Sequence, residues 1–150
     1  MTLATSGVYG RDHPLPVDPS GPLAHNGSMS ISHVQLFSIP VSDQDRARDF
    51  YVDTLGFELV AETQMGPEMR WVQVRPMGAA TSLTLVTWFP TMAPGSSKGT
   101  VLETDSLERT IATLREKGLP IGEIETAPWG RFVTIDDPDG NGIVLQETAR

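Results

Sequence analysis

A limited set of residue types in this sequence could carry out acid–base or metal chemistry. Cys is absent, so thiol catalysis, disulfide bonds and thiolate metal sites are excluded. Two of the three His residues lie in an N-terminal segment rich in Pro and Gly, which leaves His33 as the imidazole of the patterned part of the chain. Gln35, Glu103 and Gln146 are the other candidates. Their oxygen atoms could bind an atypical divalent metal, and Glu103 could transfer a proton without one.

A second group of residues could bind an organic molecule without reacting with it. Aromatic side chains offer flat apolar surfaces, and a few polar groups among them would fix the orientation of a ligand. Trp71 is one candidate of this kind. The predicted ligand-binding residues are Gln35, Phe37, Thr84, Trp88, Glu103, Trp129, Arg131, Phe132 and Gln146. The alternative for each large aromatic residue is a place in the core or in a subunit interface, and Glu103 and Gln146 could be ordinary polar side chains.

Length and charge limit the class of protein. A chain of 150 residues with 39% hydrophobic and 20% charged residues is typical of one soluble globular domain. The net charge of −8 disfavours a nucleic-acid-binding protein and would favour a cationic ligand. The alternative is that the acidic charge serves only solubility. No apolar run approaches the roughly 20 residues of a membrane span, and the N-terminus does not resemble a signal peptide. We therefore expect a cytoplasmic protein that does not bind membranes.

The first 28 residues differ from the rest of the chain. Pro14, Pro16, Pro19 and Pro22 interrupt any helical or strand-like period, so we predict a flexible tail over residues 1–28 and a single domain over residues 29–150. Met29 opens the patterned region and is an alternative start of translation. The intact mass of the protein from its native source would decide between Met1 and Met29.

The patterned region contains the same series of elements twice. In the first module, spanning residues 31–89, we predict a strand over 31–41, a helix from Ser42 or Asp43 to Thr54 that ends at Gly56, and strands over 57–63, 69–75 and 81–88. A Pro- and Gly-rich linker follows. In the second module, spanning residues 99–148, we predict a strand over 100–104, a helix from Asp105 or Ser106 to Lys117, and strands over 119–125, 131–135 and 143–147.

This repetition predicts the fold. The sequence Arg-Trp-Val-Gln-Val at residues 70–74 parallels Arg-Phe-Val-Thr-Ile at residues 131–135, which indicates an internal duplication. A βαβββ module alone buries too little surface to be stable, whereas two modules could enclose a cleft and keep the helices outside. We therefore predict an α+β protein of two βαβββ modules.

Strand alternation predicts which side chains face that cleft. Successive residues of a strand lie on opposite faces. If Ile143 and Leu145 pack against a helix, Val144 and Gln146 face the cleft. The same alternation turns Phe132 and Thr134 towards the cleft, because Val133 and Ile135 occupy the opposite face of the strand.

Three motifs carry a resemblance to a known family. Asp43, Ala47, Phe50 and Tyr51, followed by Leu-Gly-Phe at residues 55–57, resemble the first-helix signature of the vicinal oxygen chelate superfamily, which includes glyoxalases, bleomycin resistance proteins and dioxygenases. The turn Asp-Asp-Pro-Asp-Gly-Asn-Gly at residues 136–142 and the sequence Pro-Trp-Gly-Arg at residues 128–131 are similar to motifs of its second module. The resemblance covers about residues 31–147. It implies a curled sheet around a cleft, with helices outside, in a dimer whose domains pair.

Metal ligands are where this chain departs from the enzymes of that superfamily. The resemblance implies one ligand on the first and on the last strand of each module, usually His, Glu or Gln. The matching positions are His33, Gln35 or Leu36 on the first strand, Thr84 on the fourth, Gly99 or Thr100 on the fifth and Val144 on the eighth. Val cannot bind a metal, and the neutral Thr hydroxyl is a poor ligand for a divalent ion. We therefore place the chain in a subgroup without the usual metal ligands and predict no metal and no cofactor.

The predicted function is metal-independent binding of a small molecule, either a drug or a metabolite, as in the bleomycin resistance branch of the family. The ligand is expected to be aromatic or cationic, and the protein is expected to be a homodimer. One alternative is a lyase, isomerase or dioxygenase with an atypical divalent-metal site. Another is metal-free acid–base catalysis by Glu103. A third is a structural or partner-binding module, which an empty, polar-poor cleft would favour. The sequence leaves open whether the modules pair within one chain or between two.

Overall fold

The computed structural model describes residues 29–150 of the chain. The chain divides into two units, Met1–Ser32 and His33–Arg150. Residues 29–32, the described part of the first unit, form no helix or strand. The predicted tail over residues 1–28 lies outside the described residues and stays a prediction.

The first module is a four-stranded sheet with one helical segment on it. Its elements are β1 (Leu36–Pro40), α1 (Gln44–Asp49), a π-helical turn (Phe50–Thr54), β2 (Glu58–Gly66), β3 (Met69–Arg75) and β4 (Ser82–Val86). The strand order of this first sheet is β1-β4-β3-β2. β1 runs parallel to β4, and the other pairs are antiparallel.

The second module repeats this arrangement. Its elements are β5 (Thr100–Glu103), α2 (Leu107–Glu116), β6 (Glu125–Ala127), β7 (Gly130–Asp136) and β8 (Gly142–Thr148). The strand order of this second sheet is β5-β8-β7-β6, with β5 parallel to β8. The predicted α+β fold of two βαβββ modules is therefore confirmed.

Side-chain caps decide where the two helices begin. The carboxylate of Asp43 accepts a 3.1 Å hydrogen bond from the backbone N–H of Arg46, and the hydroxyl of Ser106 accepts one of 3.2 Å from Arg109. Gly56 follows the π-helical turn with a φ of +78°, the left-handed conformation that its missing side chain permits. Neither of the helices in residues 29–150 has the length and apolar composition of a membrane-spanning segment.

Two strand predictions need correction. The first strand begins at Leu36, five residues later than predicted. The strand predicted over residues 119–125 is wrong, because the structure places β6 at Glu125–Ala127. The segment before β6 is irregular, but its apolar side chains pack against the hydrophobic core. These side chains are Leu119, Ile121 and Ile124.

The helices cover one face of each sheet. The buried side chains form one continuous hydrophobic cluster to which both modules contribute. It contains Ile39, Ala47, Phe50, Tyr51, Val72, Val74, Leu83 and Leu85 from the first module, and Leu107, Ile111, Leu114, Val133, Ile135, Ile143 and Leu145 from the second. This shared cluster is what joins the two sheets.

No helix covers the opposite face of each sheet, the helix-free face. Its residues alternate along each strand with those of the core. On the first sheet it contains Leu36, Ser38, Trp71, Gln73, Arg75, Thr84 and Val86; on the second it contains Val101, Glu103, Phe132, Thr134, Val144 and Gln146. All five residues of β4 are buried, so the first sheet is covered on both faces at its centre.

Candidate functional site

Two tryptophan rings stack on the helix-free face of the first sheet. The ring centroids of Trp71 and Trp88 lie 6.3 Å apart, and the ring planes are inclined by 25°. Trp71 projects from β3, and Trp88 comes just after β4. The indole N–H of Trp71 donates a 3.0 Å hydrogen bond to Oε1 of Gln73, which fixes the orientation of the ring. These two half-buried rings form an aromatic surface without a helix above it.

Thr84 lies next to this aromatic surface. It is directly opposite Gln73 in the β3–β4 register, and its side chain is 1% exposed. Its hydroxyl oxygen is the one buried side-chain polar atom in residues 29–150 without a hydrogen-bond partner in the protein. An unmade hydrogen bond of this kind costs about 1–3 kcal/mol, so it requires an explanation.

An ion pair at the margin of the same face leaves no net charge there. The guanidinium of Arg75 donates a 2.6 Å hydrogen bond to the carboxylate of Glu58. This hydrogen bond lowers the pKa of Glu58, so the carboxylate is ionised at neutral pH and offsets the charge of Arg75.

Polar side chains on the helix-free face of the second sheet are hydrogen-bonded to one another. The carboxylate of Glu103 accepts hydrogen bonds of 3.0 Å from the backbone N–H of Thr148 and 2.6 Å from its hydroxyl. The amide of Gln146 donates to the same hydroxyl at 3.1 Å. The hydroxyl hydrogen bond is the main cause that lowers the pKa of Glu103. A general acid or base at neutral pH needs a pKa near 7, so the structure does not equip Glu103 for proton transfer.

Phe132 and Gln146 come together on this face, directly opposite each other in the β7–β8 register. Both side chains are half-buried. The predicted alternation is confirmed here, because Val133 and Leu145 belong to the core.

Arg131 is separated from these residues. It lies on the helix side, where it donates hydrogen bonds to Glu108 at 2.5 and 3.0 Å and a further one to Glu147. The hydrogen bond from Arg131 lowers the pKa of Glu108 to about 2. The alternation that turns Phe132 away from the core already places its neighbour Arg131 on the other face, so the sequence contained the signal for this correction.

Three further predicted residues also lie off the helix-free faces. Gln35 is exposed before β1, where its carbonyl accepts a 2.8 Å hydrogen bond from Ser82. Phe37 pairs with Leu83 and therefore projects to the helix side. Trp129 lies in the turn between β6 and β7 and is 58% exposed.

A cavity of about 830 Å³ lies between the modules, beside the edge strand β5. Its apolar walls include Leu55, Phe57, Leu83, Leu102, Leu114 and Leu145, and the predicted residues Phe37 and Glu103 line it as well. Pockets that bind small molecules have volumes of this order. Its walls come from segments that are distant along the chain, so this cavity could not be located from the sequence alone.

The donor atoms do not fit a divalent metal. Thr84 and Val144 occupy the helix-free faces at two of the positions where the family enzymes carry ligands. Gln35 precedes the first strand of the first sheet, whereas Glu103 and Gln146 belong to the second sheet. Within residues 29–150, no group of three or more His, Cys, Asp or Glu side chains could hold a metal ion. A hydroxyl and an aliphatic side chain do not replace the missing ligands.

Comparison with known proteins gives consistent matches. The family model described as Glyoxalase/Bleomycin resistance protein/Dioxygenase superfamily matches residues 30–145. TnmS3, an antibiotic binding protein from Streptomyces sp. CB03234, is 54% identical, with a TM-score of 0.77 over 81% of this chain and 99% of its own. A superfamily member from Sphaerobacter thermophilus is 39% identical, with a TM-score of 0.72 over 78% of this chain and 98% of its own. YetH of Bacillus subtilis, an uncharacterized protein, is 33% identical over 78% of this chain and 99% of its own.

Proposed function

The chain belongs to the glyoxalase/bleomycin resistance protein/dioxygenase superfamily, and from this premise we propose that it is a metal-independent protein that sequesters a small organic molecule. The observation that carries this proposal is the Trp71–Trp88 stack on the helix-free face of the first sheet. The similarity to TnmS3, an antibiotic binding protein with 54% identity, supports a drug-like ligand.

The aromatic surface favours an aromatic or cationic ligand. Indole rings bind flat aromatic molecules by offset stacking and attract cations to their faces. The net charge of −8 adds long-range attraction for a cation.

Binding without conversion agrees with the state of the polar groups. Glu103 is engaged with Thr148, and its pKa is lowered rather than raised. Arg131 is held by Glu108 and Glu147 on the helix side. Neither group is arranged as an acid, base or metal ligand.

A homodimer would complete the binding cleft. β1 and β5 each pair with one neighbour, so the outward-facing backbone groups of Leu36, Ser38 and Val101 have no strand partner. Val101 is 53% exposed and Phe37 38% exposed beside these edges. A second copy related by a two-fold axis would cover both edges and set the first sheet of one protomer beside the second sheet of its partner.

The binding proposal can be tested with two matched probes, neutral acridine and the N-methylacridinium cation. We expect both to quench tryptophan fluorescence and to be recovered chemically unchanged, as mass spectrometry would show. Trp88→Ala should weaken binding, whereas Thr110→Trp, which would narrow the cavity from α2, should not. The reverse pattern would place the ligand in the cavity, and a converted product would favour an enzyme.

Metal content gives an independent test. The untagged protein should be purified after growth with added Zn, Mn, Ni and Fe, because a His tag would itself bind metal. We expect no stoichiometric metal, even after dialysis against added metal. A near-stoichiometric metal would overturn the proposal and direct attention to Gln35, Glu103 and Gln146.

A further inference from the structure

The unpaired hydroxyl of Thr84 has a second polar group beside it. Gln73 lies opposite Thr84 in the register, and its Oε1 accepts the hydrogen bond of Trp71. The indole nitrogen is only a donor, so this contact fixes which end of the Gln73 amide is the oxygen. The amide nitrogen then remains as a donor that makes no hydrogen bond to the described residues.

Thr84 and Gln73 therefore present hydrogen-bonding capacity that the protein does not use. A carbonyl oxygen has two lone pairs and could accept from the hydroxyl and from the amide together. Neither side chain carries a charge, and the nearby Arg75 is already paired with Glu58. A charged ligand group placed here would lose its hydration without gaining a counter-charge, so an uncharged oxygen fits best.

We propose that Thr84 and Gln73 form a polar anchor that binds an uncharged oxygen, such as a carbonyl, on an aromatic ligand stacked against Trp71 and Trp88. This inference rests on the proposed function and narrows its ligand class. Thr84 contacts the ligand, while Gln73 also positions the ring of Trp71. Because Thr84 is buried, a neighbouring side chain on this face must move when the ligand oxygen arrives.

The test uses 9-fluorenone and fluorene, two flat molecules that differ by one carbonyl oxygen. Affinities are measured by quenching of tryptophan fluorescence. We expect the wild-type protein to bind fluorenone about tenfold more tightly than fluorene, the difference that one well-made hydrogen bond gives.

Two substitutions remove the anchor in different ways. Thr84→Val keeps the shape and removes the hydroxyl. Gln73→Glu keeps an acceptor for Trp71 and removes the donor. In both variants we expect the preference to fall to about twofold or less, with the fluorene affinity unchanged. Thr87→Val, an exposed site, is the matched control and should keep the wild-type preference.

The possible results are distinguishable. If the wild type binds both molecules equally, or if both variants keep the preference, the anchor is refuted while aromatic binding stands. If the wild type binds neither molecule, nor acridine, the proposed function fails and the anchor fails with it. Circular dichroism shows whether each variant is folded. If one variant is unfolded, its loss of affinity is not counted, and the other variant still tests the anchor.

Discussion

The phenol of Tyr51 donates a 3.0 Å hydrogen bond to the carboxylate of Asp137, and both side chains are buried. Tyr51 belongs to the π-helical turn of the first module, and Asp137 follows β7 in the second. The same carboxylate accepts hydrogen bonds of 2.8 and 2.9 Å from the side chain and backbone of Asn141. Burial, followed by the charge of Asp137, raises the pKa of Tyr51, so the phenol keeps its proton and remains a donor.

We expect Tyr51→Phe to lower the free energy of unfolding by about 1–3 kcal/mol, because a buried carboxylate loses a donor. Urea denaturation measures this change. In an Asp137→Asn background the same substitution should cost less, since a neutral acceptor makes a weaker hydrogen bond. An equal loss in both backgrounds would show that the two groups are not coupled.

Trp88→Ala should weaken acridine binding by about tenfold, because one of the two stacked rings is lost. The melting temperature should remain close to that of the wild type, since Trp88 is only half-buried. Trp129→Ala removes a ring that is 58% exposed and should change the stability by less than about 0.5 kcal/mol. Any effect of Trp129→Ala on affinity would therefore report a direct ligand contact. A large drop in melting temperature for Trp88→Ala would mark that ring as core.

Thr84→Val should raise the free energy of unfolding by about 1 kcal/mol, because it replaces an unpaired buried hydroxyl with a methyl group of similar size. Thermal and urea denaturation of the ligand-free protein measure this change. Thr87→Val is again the control and should have little effect. A destabilised Thr84→Val variant would mean that the hydroxyl has a structural partner, contrary to the proposed anchor.

Arg131→Gln should change the response of the protein to acid. The pKa of Glu108 is lowered to about 2 chiefly by its hydrogen bond from Arg131, against an ordinary value of 4.5. The pair therefore contributes stability that is fully present above about pH 4.5 and is lost as the pH falls towards 2. Melting temperatures between pH 7 and pH 2 should decline less steeply in the variant, and the two curves should converge at the acidic end. Parallel curves would contradict the ion pair, and weaker acridine binding by the variant would restore Arg131 as a ligand contact.

Val101→Lys should dissociate the proposed homodimer, because a charge at the edge of β5 opposes strand pairing with a second copy. Sedimentation velocity of the wild type and the variant measures the association state. Val60→Lys is the matched control: its site on β2, the opposite edge strand of the first sheet, is 40% exposed. A monomeric wild type, or equal effects of both substitutions, would contradict an interface at β1 and β5.

Local features of the chain were predictable from its residues. The caps at Asp43 and Ser106 and the stop at Gly56 act within one helical turn, so nearby sequence is enough to specify them. The common face of Phe132 and Gln146 also followed from alternation along two strands, whereas their direct pairing is set by the strand register. The segment at residues 119–124 was misjudged because apolar residues look alike in a strand and in an irregular segment that packs on the core.

The sequence by itself determined the two βαβββ modules, because the alternation of strands and the periodicity of helices repeat along the chain. Only the tertiary structure decided which side chains meet. The Tyr51–Asp137 hydrogen bond spans 86 residues, and the Trp71–Trp88 stack joins β3 to the segment after β4. The unpaired hydroxyl of Thr84 is visible only when every neighbour is in place. Alternation says that adjacent residues lie on opposite faces, whereas the packing of distant segments decides what covers each face.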